Sequence, residues 1–553
     1  MKSKNKRRVI LAGAFITATV TFHTFAQTTK QGLYSWNKVP TAILPAFKKD
    51  TFNIVKFGAS NLVSAINTKS ITDAIDRCNQ NGGGVVLVPK GDWITGPIRL
   101  KSNVNLHLAK GAILEFSKDK KLYPLVAGNF EGLPTVRSQS PVSGEDLENI
   151  AITGEGVIEG NGDVWRPLSK GKQNRAQWDE KIASGGVLSD DGNTWFPSLQ
   201  SKKGQEMSKS GAIDQLKTAE DFMPIKDYLR PNLLVLTRCR KVLLQDVTFQ
   251  NSPAWCLHPL MCSEVTLQRV KVNNPPWAQN GDGLDIESCK NVLVENSSFE
   301  CGDDGICIKS GKDQQGRLRA MPTENVTIRF DTVYHAHGGF VIGSEMSGGA
   351  KNLFVSDCVF IGTDKGLRFK TVRGRGGVVS NIYVRDIKMK DIVQEAIYFD
   401  MYYFAKPPKP GEKAPEFAVN DGTPKFQDFY ISDITCNGAN KGLFVRGLPE
   451  MSIKNINLKN LDLKTNTGIE IIEAENIHLE NVTVHSAKAG PVVFIENSNN
   501  VDFTSLSTKP NSGLLFSIAG ERTKNISASG IHSAGLTRMA KFDNANENVL
   551  KIN

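Results

Sequence analysis

Beyond its N-terminus this chain of 553 residues has no apolar run approaching the ~18 residues of a membrane-spanning helix, which excludes a polytopic membrane protein. It has no dense Lys/Arg stripe and no zinc-ligand spacing, and both lacks disfavour a nucleic-acid partner. Cysteine is scarce and odd in number: nine residues spread over the chain imply no disulfide framework. Most of them sit in apolar, strand-like runs, where a small core residue is expected. What is present, 40% hydrophobic and 22% charged residues, is the balance of a folded protein and not of a disordered or collagen-like one.

The N-terminus carries a targeting pattern. Lys2, Lys4, Lys6, Arg7 and Arg8 form a basic head, Val9 to Ile16 an apolar run, and Thr24-Phe25-Ala26 a small-residue cleavage site. Residues 1–26 are therefore expected to be a signal peptide, with the mature protein periplasmic or extracellular and not stably inserted in a membrane. Removing those five charges lowers the formal net charge from +10 to +5. A modest positive balance suits a polyanionic partner, and an acidic polysaccharide fits the compartment.

From about Arg238 onward one phrase recurs: a polar pair, often ending in Asn, then two apolar-x-apolar units. Its first apolar position falls at 242, 265, 292, 326, 353, 382, 429, 456, 477, 501 and 526. Short alternating strands repeating at this interval indicate a solenoid. The leucine spacing of leucine-rich repeats is absent. The expected fold is all-β: a single-stranded, right-handed parallel β-helix with coils stacked about 4.8 Å apart. The asparagines should form a ladder at one turn. Cys239, Cys262 and Cys289 each precede their reference position by three residues and should stack as thiols.

Ile71 to Asn79 is amphipathic and precedes a Gly82-Gly83-Gly84 turn and the run Val85 to Val88. It is expected to be the N-terminal capping helix that an exposed solenoid end needs. The sequence thus divides into the leader and one catalytic β-helix over 27–553. Residues 27–100 form the cap region, and residues 160–230, charged and rich in Ser, Gly and Lys, form an insertion on the binding face. A capped solenoid needs no partner, so a monomer is expected.

Four patches are rich in chemistry-bearing groups: Asn280-Gly281-Asp282-Gly283, Gly302-Asp303-Asp304-Gly305, His337-Gly338-Gly339 and Arg368-Phe369-Lys370. Alone, Gly-Asp-Gly is usually a turn, paired aspartates a turn or a calcium site, and a single His a structural residue. Coil offsets change that reading. Asp303 and His337 each lie 11 residues past their coil reference, Asp282 and Lys370 each 17, and Tyr398 16. Equal offsets should place these groups on one face over successive coils. Neighbouring carboxylates suit glycoside hydrolysis, with one acting as acid and others activating water. Arg368 and Lys370 would pair with a substrate carboxylate.

Taken in order, the four patches resemble the polygalacturonase family of glycosidases, family 28, whose pattern is Asn-Thr-Asp, Gly-Asp-Asp, Gly-His-Gly and Arg-Ile-Lys. The resemblance implies an inverting hydrolase of α-linked galacturonate in pectin that needs no metal or cofactor. It implies Asp303 as general acid, Asp282 and Asp304 as the water-activating carboxylates, and His337 as support for the acid. Arg368, Lys370 and Asn280 would bind galacturonate, with Tyr398 on the same face. Gly281, Ala336 and Phe369 depart from the pattern without removing a catalytic group. The 160–230 insertion suggests a groove closed at one end and exo action. Homogalacturonan, rhamnogalacturonan and branched side chains all remain open as substrates. Trp255, His258 and Trp277 are either sugar-contacting or packing residues. The competing readings are a calcium-dependent pectate-lyase-like enzyme and a non-catalytic carbohydrate-binding β-helix.

Overall fold

The structure is a computed structural model that describes residues 34–409, 412, 414–508, 513–533 and 535–553. The expected leader, residues 1–26, lies outside the described residues. Residues 34–38 belong to a small separate unit, where Ser35 and Lys38 close a turn through reciprocal backbone hydrogen bonds. The second unit is Val39–Asn553. Among the described residues no helix is long and apolar enough to cross a membrane.

That unit is a long parallel β-helix. The eleven reference positions are register partners in unbroken succession, from Val242↔Val265 to Val501↔Ile526. The same register runs back through Ile150↔Val242 and Gly84↔Val104. Each of the eleven is at most 1% exposed. A buried Val, Leu or Ile contributes about 1.5–3 kcal/mol, so one apolar residue per coil at this position is enough to pin the register.

The turn that begins each phrase explains its asparagine. Asn325, Asn352, Asn476, Asn500 and Asn525 all have φ between 51° and 59°, the left-handed region that Asn tolerates better than most residues. Their side chains form the expected ladder: Asn325 Nδ2 donates to Asn291 Oδ1 at 3.0 Å and Asn352 Nδ2 to Asn325 Oδ1 at 3.1 Å. The ladder resumes from Asn455 through Asn476 and Asn500 to Asn525. The thiols stack as expected, with the backbone N–H of Cys239 donating to Cys262 Sγ and that of Cys262 to Cys289 Sγ, both at 3.3 Å. All nine cysteines are free and buried.

The capping helix, Thr68–Gln80, buries Ile71, Ala74, Ile75 and Cys78 against the first coils. A second parallel sheet of 14 strands carries the face of interest, including Leu284–Glu287, Asp304–Lys309, Gly338–Ile342 and Leu367–Lys370. Leu284, Ile306, Phe340, Leu367 and Ile397 stack inward along it, while Asp285, Cys307, Val341, Arg368 and Tyr398 form the outward row.

The break in the coil pattern at 160–230 holds the helices Arg175–Ala183 and Leu199–Ser210 and a three-stranded antiparallel sheet. Its small core of Phe222, Ile225 and Leu229 packs against Leu125 and Val136. Those two residues belong to an antiparallel hairpin, Leu125–Phe130 with Leu133–Ser138, which the repeat pattern gave no reason to expect.

Candidate active site

The four patches meet on four consecutive strands of the 14-stranded sheet. Asp282 precedes its strand by two residues, Asp303 and His337 immediately precede theirs, and Arg368 and Lys370 lie within theirs. The register Asp304↔Gly338 sets Asp303 beside His337, as their equal offsets required. The other equal offsets do not mean a shared level. Leu284 pairs with Ile306, which puts Asp282 level with Asp304, and Arg368 with Tyr398, which puts Lys370 two residues beyond Tyr398's level. Asp304 and Gly338 stand 12 residues past their references, so the 17 of Asp282 comes from five extra residues in its own coil. They lie in the turn containing Pro275-Pro276-Trp277. That turn is tight: a Cβ on Gly281 would come within 2.7 Å of Ala278 Cβ, and one on Gly302 within 2.4 Å of the Ala278 carbonyl oxygen. A threonine at 281 has no room here.

Asp282, Asp303 and Asp304 each bring an oxygen within 4.8 Å of the others. His337 Nδ1 is 3.0 Å from Asp303 Oδ1. Asp304 is clamped from both sides, with Arg368 Nη1 donating to Oδ1 at 2.9 Å and Lys370 Nζ to Oδ2 at 2.7 Å. The two cations expected to face only a substrate carboxylate are thus also the counter-ions of Asp304. Arg368 Nε has no partner among the described residues and keeps a donor in reserve. Phe369, between them, is fully buried against Phe399 and Phe429, so its departure from the family pattern concerns the core.

Burial disfavours ionisation of Asp304, but Lys370 and Arg368 more than offset this and hold its carboxyl well below the usual carboxylate range. Asp282 goes the other way. Burial first, then the charges of Asp285 and Asp303, push it well above that range. Asp285, three residues on in the strand Leu284–Glu287, is raised to about 8 by burial, partly offset by Lys309 at 3.5 Å. His337 is raised by its hydrogen bond to Asp303, against the opposing effect of burial. One fixed anion, one carboxyl pushed towards its neutral form and one acid–imidazole pair therefore lie side by side. This is the kind of divergence that separates acid from base roles. Three carboxylates could hold a cation, but Arg368 and Lys370 already neutralise the Asp304 side.

Asn280 is fixed by Arg230, whose Nη2 donates to its Oδ1 at 2.8 Å. Tyr398 stands one coil beyond Arg368 with its hydroxyl donating to Asp400 at 2.6 Å and Lys365 over its ring. Trp255 and His258 are packing residues. Trp255 is 2% exposed against Phe130, and His258 is fully buried between Asn232 and Glu287. Trp277 is 41% exposed and faces the insertion. The sequence reading missed Tyr403, whose ring lies 4.7 Å from Lys370 Nζ and 5.5 Å from the Arg368 guanidinium. The one signal for it was the aromatic run Tyr402-Tyr403-Phe404 inside the longest gap between repeats.

The hairpin tip closes the sheet face on the N-terminal side of these residues. The Gly132 carbonyl accepts from the Lys312 backbone N–H at 3.4 Å and from Arg319 Nη2 at 3.5 Å, and Glu131 pairs with Lys312 at 3.5 Å. Phe130 packs on Trp255 with ring centroids 5.2 Å apart.

Residues 179–421, which contain all four patches, match the model for glycosyl hydrolases family 28. These residues form a family 28 glycosidase domain. The chain is 29% identical over 348 residues to a protein of Vitis vinifera named "Probable polygalacturonase", covering 61% of this chain and 60% of that one. It is 27% identical over 464 residues to an exo-poly-alpha-D-galacturonosidase of Dickeya chrysanthemi, covering 79% and 71%. Among solved structures, the hyperthermoactive exopolygalacturonase of Thermotoga maritima superposes with a TM-score of 0.64 at 29% identity over 83% of this chain and 93% of that one. The family 28 domain thus spans the site's carboxylates, His337 and both cations, and the fold carrying it is similar to that of the Thermotoga protein.

Proposed function

We propose that this protein is an exo-acting hydrolase of α-linked galacturonate polymers, working with inversion at the anomeric carbon. The observation that carries the reading is the carboxylate trio itself: Asp304 is held ionised by Arg368 and Lys370, while Asp303 is bonded to His337 a few ångströms away. Asp303 is the most open of the three, its side chain 23% exposed against 2% for Asp304. Asp303 and His337 share a proton, and Asp303 delivers it to the leaving glycosidic oxygen. Water held between Asp282 and Asp304 attacks the anomeric carbon and passes its proton to that pair. Arg368 Nε, Lys370 and the Tyr403 ring bind the sugar carrying the carboxylate, and Asn280 lines the same side. Tyr398 lies one coil further along the groove.

Inverting pairs commonly stand about 6.5–9.5 Å apart and retaining pairs about 5–5.5 Å. The present spacing is shorter than both, so distance does not favour inversion. The reading rests on the state of the candidate nucleophiles. Asp304 has both oxygens in ion pairs, and Asp282 is pushed towards its neutral form, so neither presents a free carboxylate to carbon. The roof formed by the hairpin supports attack from chain ends, and the exo-type relatives support it independently. The basic, apolar and small-residue order of residues 1–26 supports export to where such polymers are met.

The test is the product profile on polygalacturonic acid, with and without a chelator, with the first anomer read by proton NMR. Saturated monomer from the earliest time, with the β-anomer first and no chelator effect, is expected. A ladder of oligomers would overturn exo action, the α-anomer would overturn inversion, and unsaturated products would replace hydrolysis by elimination.

A further inference from the structure

Between the hairpin and the upstream strands of the 14-stranded sheet lies a cavity of about 770 Å³. That is within the size range of small-molecule sites, about 300–1,000 Å³. Its floor is the upstream part of the 14-stranded sheet, with Ser143, Val235 and Leu260, and its wall is the hairpin itself. None of Asp282, Asp303, Asp304, His337, Arg368 and Lys370 lines it.

Three features of the lining converge. First, it holds polar atoms with nothing to bond: Asn232 Oδ1, Ser138 Oγ and Asn129 Oδ1 are buried and lack hydrogen-bond partners among the described residues. Asn232 and Ser138 are only 4% and 1% exposed. Unpaired buried polar atoms cost about 1–3 kcal/mol each, and two of these three accept only, so they call for donors such as hydroxyl groups. Second, the charge is one-sided. Glu145 and Asp146 are taken up by Arg238, at 2.6 and 2.7 Å. Arg99 and Arg137 have no carboxylate within ion-pair distance among the described residues; Arg137 is 9% exposed, with one hydrogen bond, to the Arg230 carbonyl, and the Phe130 ring 3.7 Å from its guanidinium. A buried guanidinium without a counter-ion is rare because desolvation is costly. Third, no aromatic side chain lines the cavity, so a nucleobase finds no stacking surface.

We propose that this cavity is a second binding site, for a short acidic saccharide whose carboxylate meets Arg99 and Arg137 and whose hydroxyls donate to Asn232 and Asn129. The ligand class follows from the cavity alone and does not rest on the catalytic reading. None of the candidate catalytic groups lines the site, so its occupant is held apart from the bond being cleaved.

Calorimetric titration of trigalacturonate into the full-length Asp303→Asn protein tests this. Two molecules bound per chain are expected. Adding Arg99→Glu, which reverses the exposed charge, or Ala127→Trp, which fills the cavity from the outer hairpin strand, should weaken one of the two at least tenfold and leave the other. The carboxyl-reduced trisaccharide should lose the same site. One molecule per chain, indifferent to both substitutions, overturns the proposal. So does equal uptake of the acidic and the carboxyl-reduced sugar. The two readings fail separately. Hydrolysis by the unmodified protein without an Arg99-dependent site removes only this inference, and an Arg99-dependent site without hydrolysis removes only the catalytic one.

Discussion

His337 and Asp303 are joined twice: the ring Nδ1 lies 3.0 Å from Asp303 Oδ1, and the His337 backbone N–H donates to the Asp303 carbonyl at 2.8 Å. The second bond is part of the parallel ladder between successive coils, so the fold itself delivers the imidazole to the acid. Asp303 raises the pKa of His337, and in the proposed mechanism the imidazolium proton is the one to be transferred. His337→Asn should therefore move the alkaline limb of kcat/KM to lower pH and reduce kcat about 100-fold, in the range of general acid catalysis. An unchanged limb in a rate–pH profile would remove His337 from the proton path.

Lys370, a proposed substrate contact, is also a counter-ion of Asp304. Removing one partner of a buried ion pair costs about 3–5 kcal/mol, because the other charge is left uncompensated. Arg368 still faces Asp304, so Lys370→Met should cost about 3 kcal/mol in urea unfolding at pH 6. The sign with pH follows from Asp304. Its folded pKa is depressed, so its ion pairs stabilise fully above the unfolded value near 4 and are lost as pH falls through the folded value. The penalty should shrink towards pH 3 and vanish at pH 6 in an Asp304→Asn background. A penalty that persists in that background would mean lost packing.

Asp285 should show the opposite sign. Its folded pKa is raised from 3.8 to about 8, so between those values the folded protein holds a proton that the unfolded chain has released. Stability attributable to this group falls as pH rises through that window. Asp285→Asn should raise the Tm by a few degrees at pH 8 and by nothing measurable at pH 4, with Glu345, 3.1 Å from Lys309, still holding that lysine. Calorimetry at the two pH values decides it, and equal shifts would contradict the assignment.

The roof makes a prediction about cleavage mode. Replacing Asn129 to Pro134 by a two-residue turn removes Phe130 from Trp255 and Gly132 from Lys312. The first products should then lengthen from monomer to oligomers, and viscosity should fall faster per bond cut. Monomer as the persisting first product would place the closure elsewhere.

The eleven reference residues from Val242 to Ile526 were legible in the sequence because a stacked coil repeats one local rule: an apolar residue inward and an Asn in the left-handed turn before it. The four patches were legible as well, since each is contiguous and Asp303 and His337 follow the same count through coils without insertions before the site. The count failed for Asp282, where five extra turn residues shift the offset without shifting the level. Tyr403 was out of reach because it lies in the longest interruption of the repeat, where no register applies. The hairpin and the cavity behind it depend on contacts between residues far apart in the chain, such as Gly132 with Lys312 and Val136 with the insertion core. The sequence by itself determined the solenoid, its register and which candidate groups it would bring to one face, because those follow from short-range periodicity and contiguous patches. Only the tertiary structure decided that Lys370 and Arg368 clamp Asp304 and that the hairpin tip packs on Trp255 and Lys312, because charge pairing and long-range packing are set by where distant turns meet.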